Sequence, residues 1–232
     1  MQFSKNWLKE FIDIDLSTQE ICHQLTMAGL EVDGYEDVKS KITGNDSIIK
    51  LDITPNRGDC FSVLGVAREL AVINNLKFSL PKINKISESF TDDINLKVCK
   101  DGPIYFGRTI KNISLKSKTL PLIAERLKLS DQKLIDPVVD ITNYILLELG
   151  QPLHAFDRQK LNGDITVRLA KEKEKIILLD DQELELDSSC LVISDEKEAV
   201  AFAGIMGGKA SSVTDKTNSI FLESAFFKPS II

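Results

Sequence analysis

The chain carries two histidines, and one of them stands among groups suited to chemistry. His154 lies near the end of DPVVDITNYILLELGQPLHAFD, residues 136–157, just past a glycine and a proline. The same stretch places Asp140, Thr142 and Asn143 on an apolar helical pattern. A hydroxyl, an amide and an imidazole can hold a polar ligand or a water, and imidazole titrates close to neutral pH. The plainer alternative is a histidine that caps the turn at Gly150. His23, beside Cys22 on another helical stretch, has no polar partners in its pattern and is expected to do no chemistry. Glu223 sits in SIFLESAFF, where alternation puts Phe221, Glu223 and Ala225 on one strand face. A carboxylate buried there needs a partner; otherwise Glu223 faces solvent or pairs with a cation such as Arg168. Ala203 and Gly204, in AGIMGG, would admit a ligand close to the backbone or simply form a tight strand turn. Asp140 reads as a helix brace, and Arg57 with Asp59 in TPNRGDC as an ion pair bracing a turn. No Ser-His-Asp arrangement is present. The cysteines Cys22, Cys60, Cys99 and Cys190 lack metal-like spacing, so no metal site is expected and reduced thiols are the simplest reading.

Several elements must position these residues. In LSTQEICHQLTMAGLEVDGYEDV, Ser17 and Glu20 form a capping box that starts a helix. Ile21, Leu25 and Ala28 form its stripe, Gly29 closes it, and a strand follows. Residues 39–47 read as a short polar link. A strand, a turn at Pro55–Gly58 and a helix follow, the helix capped by Asp59 or Ser62. Residues 77–95 are polar and read as a linker. Beyond them, LKVCKDGPIYFGRTIKNISL reads as two strands. TLPLIAERLKLS reads as a helix with Thr119 as cap and Pro121 inside its start. A second helix closed by Gly150 comes next, then the short strands DITVRLA, EKIILLD, QELELD, CLVISD, AVAFAGIMGG and SIFLESAFF. Helices followed by a run of strands predict an α+β fold with a mixed or antiparallel sheet. The expected organisation is a small α+β domain at 1–85, a linker at 86–95 and a larger α+β domain at 96–232.

At 232 residues, with 43% hydrophobic and 28% charged residues, the chain has the make-up of a globular protein with a full core. Its net charge of −6 argues against broad electrostatic binding of nucleic acid, though not against a local basic patch or an RNA presented by a partner. No apolar run reaches the roughly 18 residues of a membrane helix, and MQFSKNWLKE has no apolar signal region. A cytoplasmic protein without a membrane partner is expected.

Six ordered blocks, FSKNWLKEF, QLTMAGLEVDG, ITPNRGDCFSVLGVAREL, IDPVVDITNYILLELGQPLHAFD, AFAGIMGG and IFLESAFFKPSI, spread over nearly the whole chain. Together they resemble the amino-terminal part of the bacterial phenylalanyl-tRNA synthetase β subunit. The resemblance implies a small N-terminal domain and a B3/B4-type editing domain at 96–232. It also implies an OB-type tRNA-binding domain between EVDG and TPNR. Here that interval, with a loop expected near 39–51, is too short for such a barrel. The family's subunit continues beyond this stretch, so the chain is expected to be a fragment truncated after 232, without the magnesium ligands of the longer subunit or the aminoacylation site of the α subunit. No cofactor is expected in this portion; the whole family enzyme uses ATP and Mg2+. The implied partners are the α subunit and tRNA(Phe).

In the family, the editing module removes tyrosine wrongly attached to tRNA(Phe). Tyrosine is phenylalanine plus a hydroxyl, and an apolar pocket rejects an added hydroxyl only about a hundredfold. A second site that recognises the hydroxyl removes the error. By resemblance, Glu223 is the hydroxyl-recognising group, and Ala203 and Gly204 shape the aromatic slot. Thr142 and Asn143 hold the ester end or a water, and His154 binds the terminal adenosine or orients the attacking water. Positioned water, with a ribose hydroxyl of the substrate, would suffice for hydrolysis. Two other readings compete: a free-standing trans-editing deacylase, and a non-catalytic scaffold for the synthetase.

Overall fold

A computed structural model describes residues 1–99, 104–230 and 232; the stretch 100–103 between two of the expected strands lies outside them. The chain divides into two compact units, residues 1–86 with 118–152, and residues 87–117 with 153–232.

The first unit is built on a three-stranded antiparallel sheet in the order β1-β3-β2, with β1 at Gln2–Ser4, β2 at Glu31–Ser40 and β3 at Gly44–Asp52. Helices α1 (Lys5–Leu8), α2 (Thr18–Met27), α3 (Val63–Ile73), α4 (Pro121–Leu129) and α5 (Pro137–Leu149) complete it. The expected capping box is present: the Ser17 hydroxyl accepts from Glu20 N, and Glu20 accepts from Ser17 N at 2.8 Å. Gly29 takes the left-handed conformation after α2, at φ +84°. Ser62, rather than Asp59, caps α3 by accepting from Gly65 N at 3.0 Å.

Three local expectations change. Residues 39–47 are not a link; β2 and β3 are one long hairpin that turns at 41–43. Most of β2 faces solvent, and an exposed strand carries the same polar residues as a loop. Thr119 does not cap α4, whose N-cap position is Leu120 with no side-chain bond; its hydroxyl instead donates to the Asp140 carboxylate. Residues 153–157, past the helix end expected at Gly150 and given no element of their own, form a strand.

The boundary also moves. Helices α4 and α5 were expected in the carboxy-terminal domain, yet they pack on the amino-terminal core. Trp7 stacks on Tyr144 of α5, with ring centroids 5.0 Å apart and planes at 16°. Its indole N–H donates to Glu148 at 3.2 Å. Arg126 of α4 lies 5.0 Å from the Trp7 ring centre, donates to the Tyr144 hydroxyl at 2.7 Å and pairs with Glu10. The apolar stripe of each helix demands a core, and here Phe3, Trp7, Leu8, Phe11 and Val66 belong to the one that supplies it.

The second unit stacks sheets. A three-stranded sheet runs β5-β13-β6, with β5 at Ile104–Lys111, β6 at Leu153–Asp157 and β13 at Ser219–Phe226. A five-stranded sheet runs β12-β11-β10-β7-β4. Its strands are β4 (Leu96–Val98), β7 (Ile165–Leu169), β10 (Leu191–Ser194), β11 (Ala199–Phe202) and β12 (Met206–Gly207). All its pairings are antiparallel except β4 with β7, so the expected mixed sheet is present. A hairpin of β8 (Glu174–Ile177) and β9 (Glu183–Leu186) completes the unit. Strand β10 is buried along its whole length, as a central strand covered on both faces requires. Leu191 and Ile193 join the cluster of Tyr105, Phe156 and Phe221 from the three-stranded sheet, whereas Val192 joins Ile176 and Leu186 of the hairpin. Of the expected linker, Asp92 accepts from Arg158 at 2.9 Å, and Asn95 N donates to Asp164 at 3.0 Å, so its later part is tied to this unit.

Gly107 lies opposite Glu223 in the β5–β13 ladder, and a Cβ there would fall within the Phe221 ring. Gly107→Ala is therefore expected to force Phe221 off its rotamer and destabilise the second unit by about 1–3 kcal/mol. Urea unfolding followed by far-UV circular dichroism measures this, and an unchanged midpoint would show that the ring moves aside freely.

Candidate functional site

Register brings the key groups of the second unit together. In antiparallel strands, directly opposed residues share a face. Glu223 is paired with His154 of β6 on one side and Gly107 of β5 on the other. The same face carries Phe221 opposite Phe156 and Ala225 opposite Tyr105. The alternation read from SIFLESAFF is correct: Phe221 is 3% exposed and Glu223 7%.

Glu223 is paired, though not with Arg168. That arginine binds Glu174 and the Ser194 hydroxyl. The partner of Glu223 is the phenol of Tyr105, which donates to Oε2 at 2.7 Å. Sequence reasoning missed Tyr105. Burial pushes the Glu223 carboxyl up to about 7, against the smaller pull of the Tyr105 hydrogen bond. Burial, with the neighbouring carboxylate, holds the Tyr105 phenol far above its ordinary range.

His154 stands edge-on to Phe156, with centroids 4.5 Å apart and planes at 77°. The residue as a whole is half-buried, but its Nε2 is sealed from solvent and lacks a hydrogen-bond partner among the described residues. Burial lowers its pKa to about 4, so the imidazole is neutral at pH 7. A Cβ on Gly207 would overlap the His154 ring; this second glycine of AGIMGG gives the imidazole its seat. Ala203 is wholly buried in the core cluster, while Gly204 is exposed in the turn after β11, at φ +72°.

Thr142 and Asn143 lie on α5, in the first unit. The Thr142 hydroxyl donates to the Val139 carbonyl at 2.8 Å, and both side chains are half-buried. His154, Ala203, Gly204 and Glu223 lie in the second unit. Asp140 does brace its helix: it is 1% exposed and accepts from Ile135 N at 2.8 Å and from Thr119. Arg57 and Asp59 form the expected ion pair at 3.1 Å. Among the described residues, Asp59, Cys60 and Glu69 lie close enough to share a cation. The Arg57 guanidinium already donates to all three, which gives these carboxylates a counter-charge from the chain itself.

The two titrating groups have opposite linkages. Glu223 has a folded value of about 7 against 4.5 when unperturbed. Its contribution is complete below the unfolded value and is lost as pH rises through the folded one. His154 has a folded value of about 4 against 6.5. Its contribution is absent at low pH and grows until the unfolded histidine has released its proton. Between these limits the two slopes oppose. Glu223→Gln should expose the histidine slope alone, making the second unit more stable at pH 6.5 than at pH 4.5 by about 2–3 kcal/mol. Urea midpoints at the two pH values test this, and parallel pH profiles for wild type and variant would refute it.

Two facing sheets with a buried carboxylate, a phenol and a neutral imidazole on one aromatic-lined face define a β-sheet unit with a built-in polar site; among the described residues it holds no α-helix, so the chain as a whole is α+β but this unit is not the α+β domain expected at 96–232. The model of the B3/4 domain family matches residues 101–232, and the chain belongs to that family. It is 50% identical over 199 residues to the phenylalanine–tRNA ligase beta subunit of Idiomarina loihiensis, covering 85% of this chain and 25% of that protein. The corresponding subunit of Photorhabdus laumondii is 50% identical over 196 residues, covering 83% of this chain and 24% of its own length. The expected resemblance is borne out, and the chain spans about a quarter of the length of these relatives. A solved N-terminal fragment of the phenylalanyl-tRNA synthetase beta subunit from Pyrococcus horikoshii is similar at TM-score 0.47 and 19% identity, over 100% of this chain and 69% of that one. Where the resemblance implies an inserted barrel, this chain has the hairpin turn at 41–43. No helix among the described residues is long and apolar enough to cross a membrane.

Proposed function

We propose that this chain is the editing portion of a phenylalanyl-tRNA synthetase β subunit, and that its second unit hydrolyses tyrosine from mischarged tRNA(Phe). The observation that carries this reading is Glu223, a carboxylate buried on an aromatic-lined face and hydrogen-bonded to a phenol. A group in that setting suits the hydroxyl that distinguishes tyrosine from phenylalanine. A site built to bond a hydroxyl penalises the analogue that lacks it, because its own polar groups are then left unpaired.

In this reading, water attacks the ester carbonyl carbon and the bond from that carbon to the ribose oxygen breaks. The ribose oxygen takes up a proton, releasing free tyrosine and tRNA. His154, neutral and with Nε2 unpartnered, holds the water or the terminal adenosine. Ala203 and Gly204 border the aromatic slot. The α subunit and tRNA(Phe) are the partners, in the cytoplasm, and ATP and Mg2+ serve the aminoacylation centre of the whole enzyme.

A second reading, a non-catalytic scaffold, has one observation in its favour: Glu223 already has an internal partner. Deacylation of tyrosyl-tRNA(Phe) and phenylalanyl-tRNA(Phe) by the 232-residue chain decides between them. Preferential release of tyrosine supports editing. No release from either ester by folded protein supports the scaffold.

A further inference from the structure

Tyr105 and Glu223 are 118 residues apart in sequence, yet both are buried and joined at 2.7 Å. Tyr105 is opposed to Ala225, two residues beyond Glu223 on β13, so its side chain reaches Glu223 along the diagonal of the ladder. Its backbone is held in that ladder and its ring belongs to the core cluster with Phe156, Ile165 and Phe221. Tyr105 is therefore a fixed wall of the site and not a plug that a ligand pushes out.

A carboxylate offers about four lone-pair positions. Among the described residues, Glu223 accepts one hydrogen bond, at Oε2, and Oε1 accepts none. We propose that Tyr105 is a positioning residue for hydroxyl recognition: its phenol locks Oε2 and so presents Oε1 to the hydroxyl of the ligand's aromatic side chain. This rests on the deacylation reading and adds a specificity-setting residue to it. Without the lock, the carboxyl swings about its terminal torsion, which has no sharp minimum of its own, and loses the hydrogen bond that favours its charged form. The titratable groups beside Glu223 in its own sheet are Tyr105 of β5 and His154 of β6; the five-stranded sheet adds the apolar Val167, Leu191, Ile193 and Ala201 to the same cluster, and the Cys99 thiol packs against it after β4.

The test uses Tyr105→Phe in the 232-residue chain, with two readouts. The ratio of tyrosyl to phenylalanyl ester hydrolysis is expected to fall at least about tenfold, the loss of one charge-assisted hydrogen bond's worth of selectivity. The titration midpoint of Glu223, followed by 13C NMR of its carboxyl, is expected to move upward from about 7. A merely structural role would slow both ester hydrolyses alike and leave that midpoint in place. An unmoved midpoint with an unchanged ratio overturns the inference while leaving the deacylation reading intact. A wild-type chain that hydrolyses neither ester overturns that reading, and the inference with it. If Tyr105→Phe fails to fold, the comparison moves to Glu223→Gln with and without Tyr105→Phe. Equal ratios support the lock acting through Glu223; a further drop in the double variant overturns it.

Discussion

Glu223→Ala is expected to cut hydrolysis of tyrosyl-tRNA(Phe) by about 10- to 100-fold and to leave the far slower hydrolysis of phenylalanyl-tRNA(Phe) nearly unchanged. The factor follows from removing a hydrogen bond to a charged group, worth about 1.5–3 kcal/mol. The change takes away the acceptor but not the aromatic walls, since Phe156 and Phe221 stay in the core cluster. It also relieves the burial that raises the carboxyl's pKa, so the fold should survive, which circular dichroism would verify. Single-turnover deacylation of the two esters side by side is the measurement. Equal loss on both would mean that Glu223 supports the site without reading the hydroxyl, and the editing proposal would lose its main support.

Trp7→Ala is expected to destabilise the first unit by about 3–5 kcal/mol, the usual cost of deleting a large buried aromatic. Trp7 is 1% exposed and ties three helices together. It stacks on Tyr144 of α5, lies beneath Arg126 of α4 and bonds Glu148 through its indole nitrogen. Trp7→Phe keeps a ring in the stack and gives up the N–H, so about 1 kcal/mol is expected, because Glu148 retains the Tyr144 hydroxyl at 2.7 Å. Urea unfolding by circular dichroism ranks the variants. Trp7 is the sole tryptophan, so wild-type fluorescence follows the first unit alone and gives the reference curve. A cost for Trp7→Ala no greater than that for Trp7→Phe would show that the indole ring does not hold α4 and α5 in place.

What could be read from sequence was what is local. Ser17 with Glu20, Gly29, Gly150 and the alternating strands declare themselves within a few residues, because caps and turns satisfy backbone groups nearby. The strand face that Glu223 shares with Phe221 was legible for the same reason, from its immediate neighbours on β13, but its burial was not: most glutamates are exposed, and only the resemblance favoured a buried one. Nor was its partner legible, because Tyr105 reaches it only through the β5–β13 register. The allegiance of α4 and α5 was equally hidden: an apolar stripe says that a helix has a core to join but not which one. Strand β6 was masked by the Gly150-Gln151-Pro152 break, after which LHAFD is too short to show a period. The hairpin at 39–47 was missed because exposed strands and loops draw on the same polar residues. The resemblance supplied His154, Ala203, Gly204 and Glu223 together, where spacing alone supplied only isolated candidates.

The backbone passes between the two units three times, near residues 86, 117 and 152. Neither unit is therefore a contiguous piece of polypeptide. During synthesis, the amino-terminal sheet emerges without α4 and α5, and its Trp7 face stays uncovered until the second of those helices has left the ribosome. By then β4 and β5 are already out and waiting for strands still unmade. Each unit thus finishes only after the other has begun, and a cut at residue 95 would orphan both. Expression of residues 96–232 alone would yield two amphipathic helices with no core to receive them.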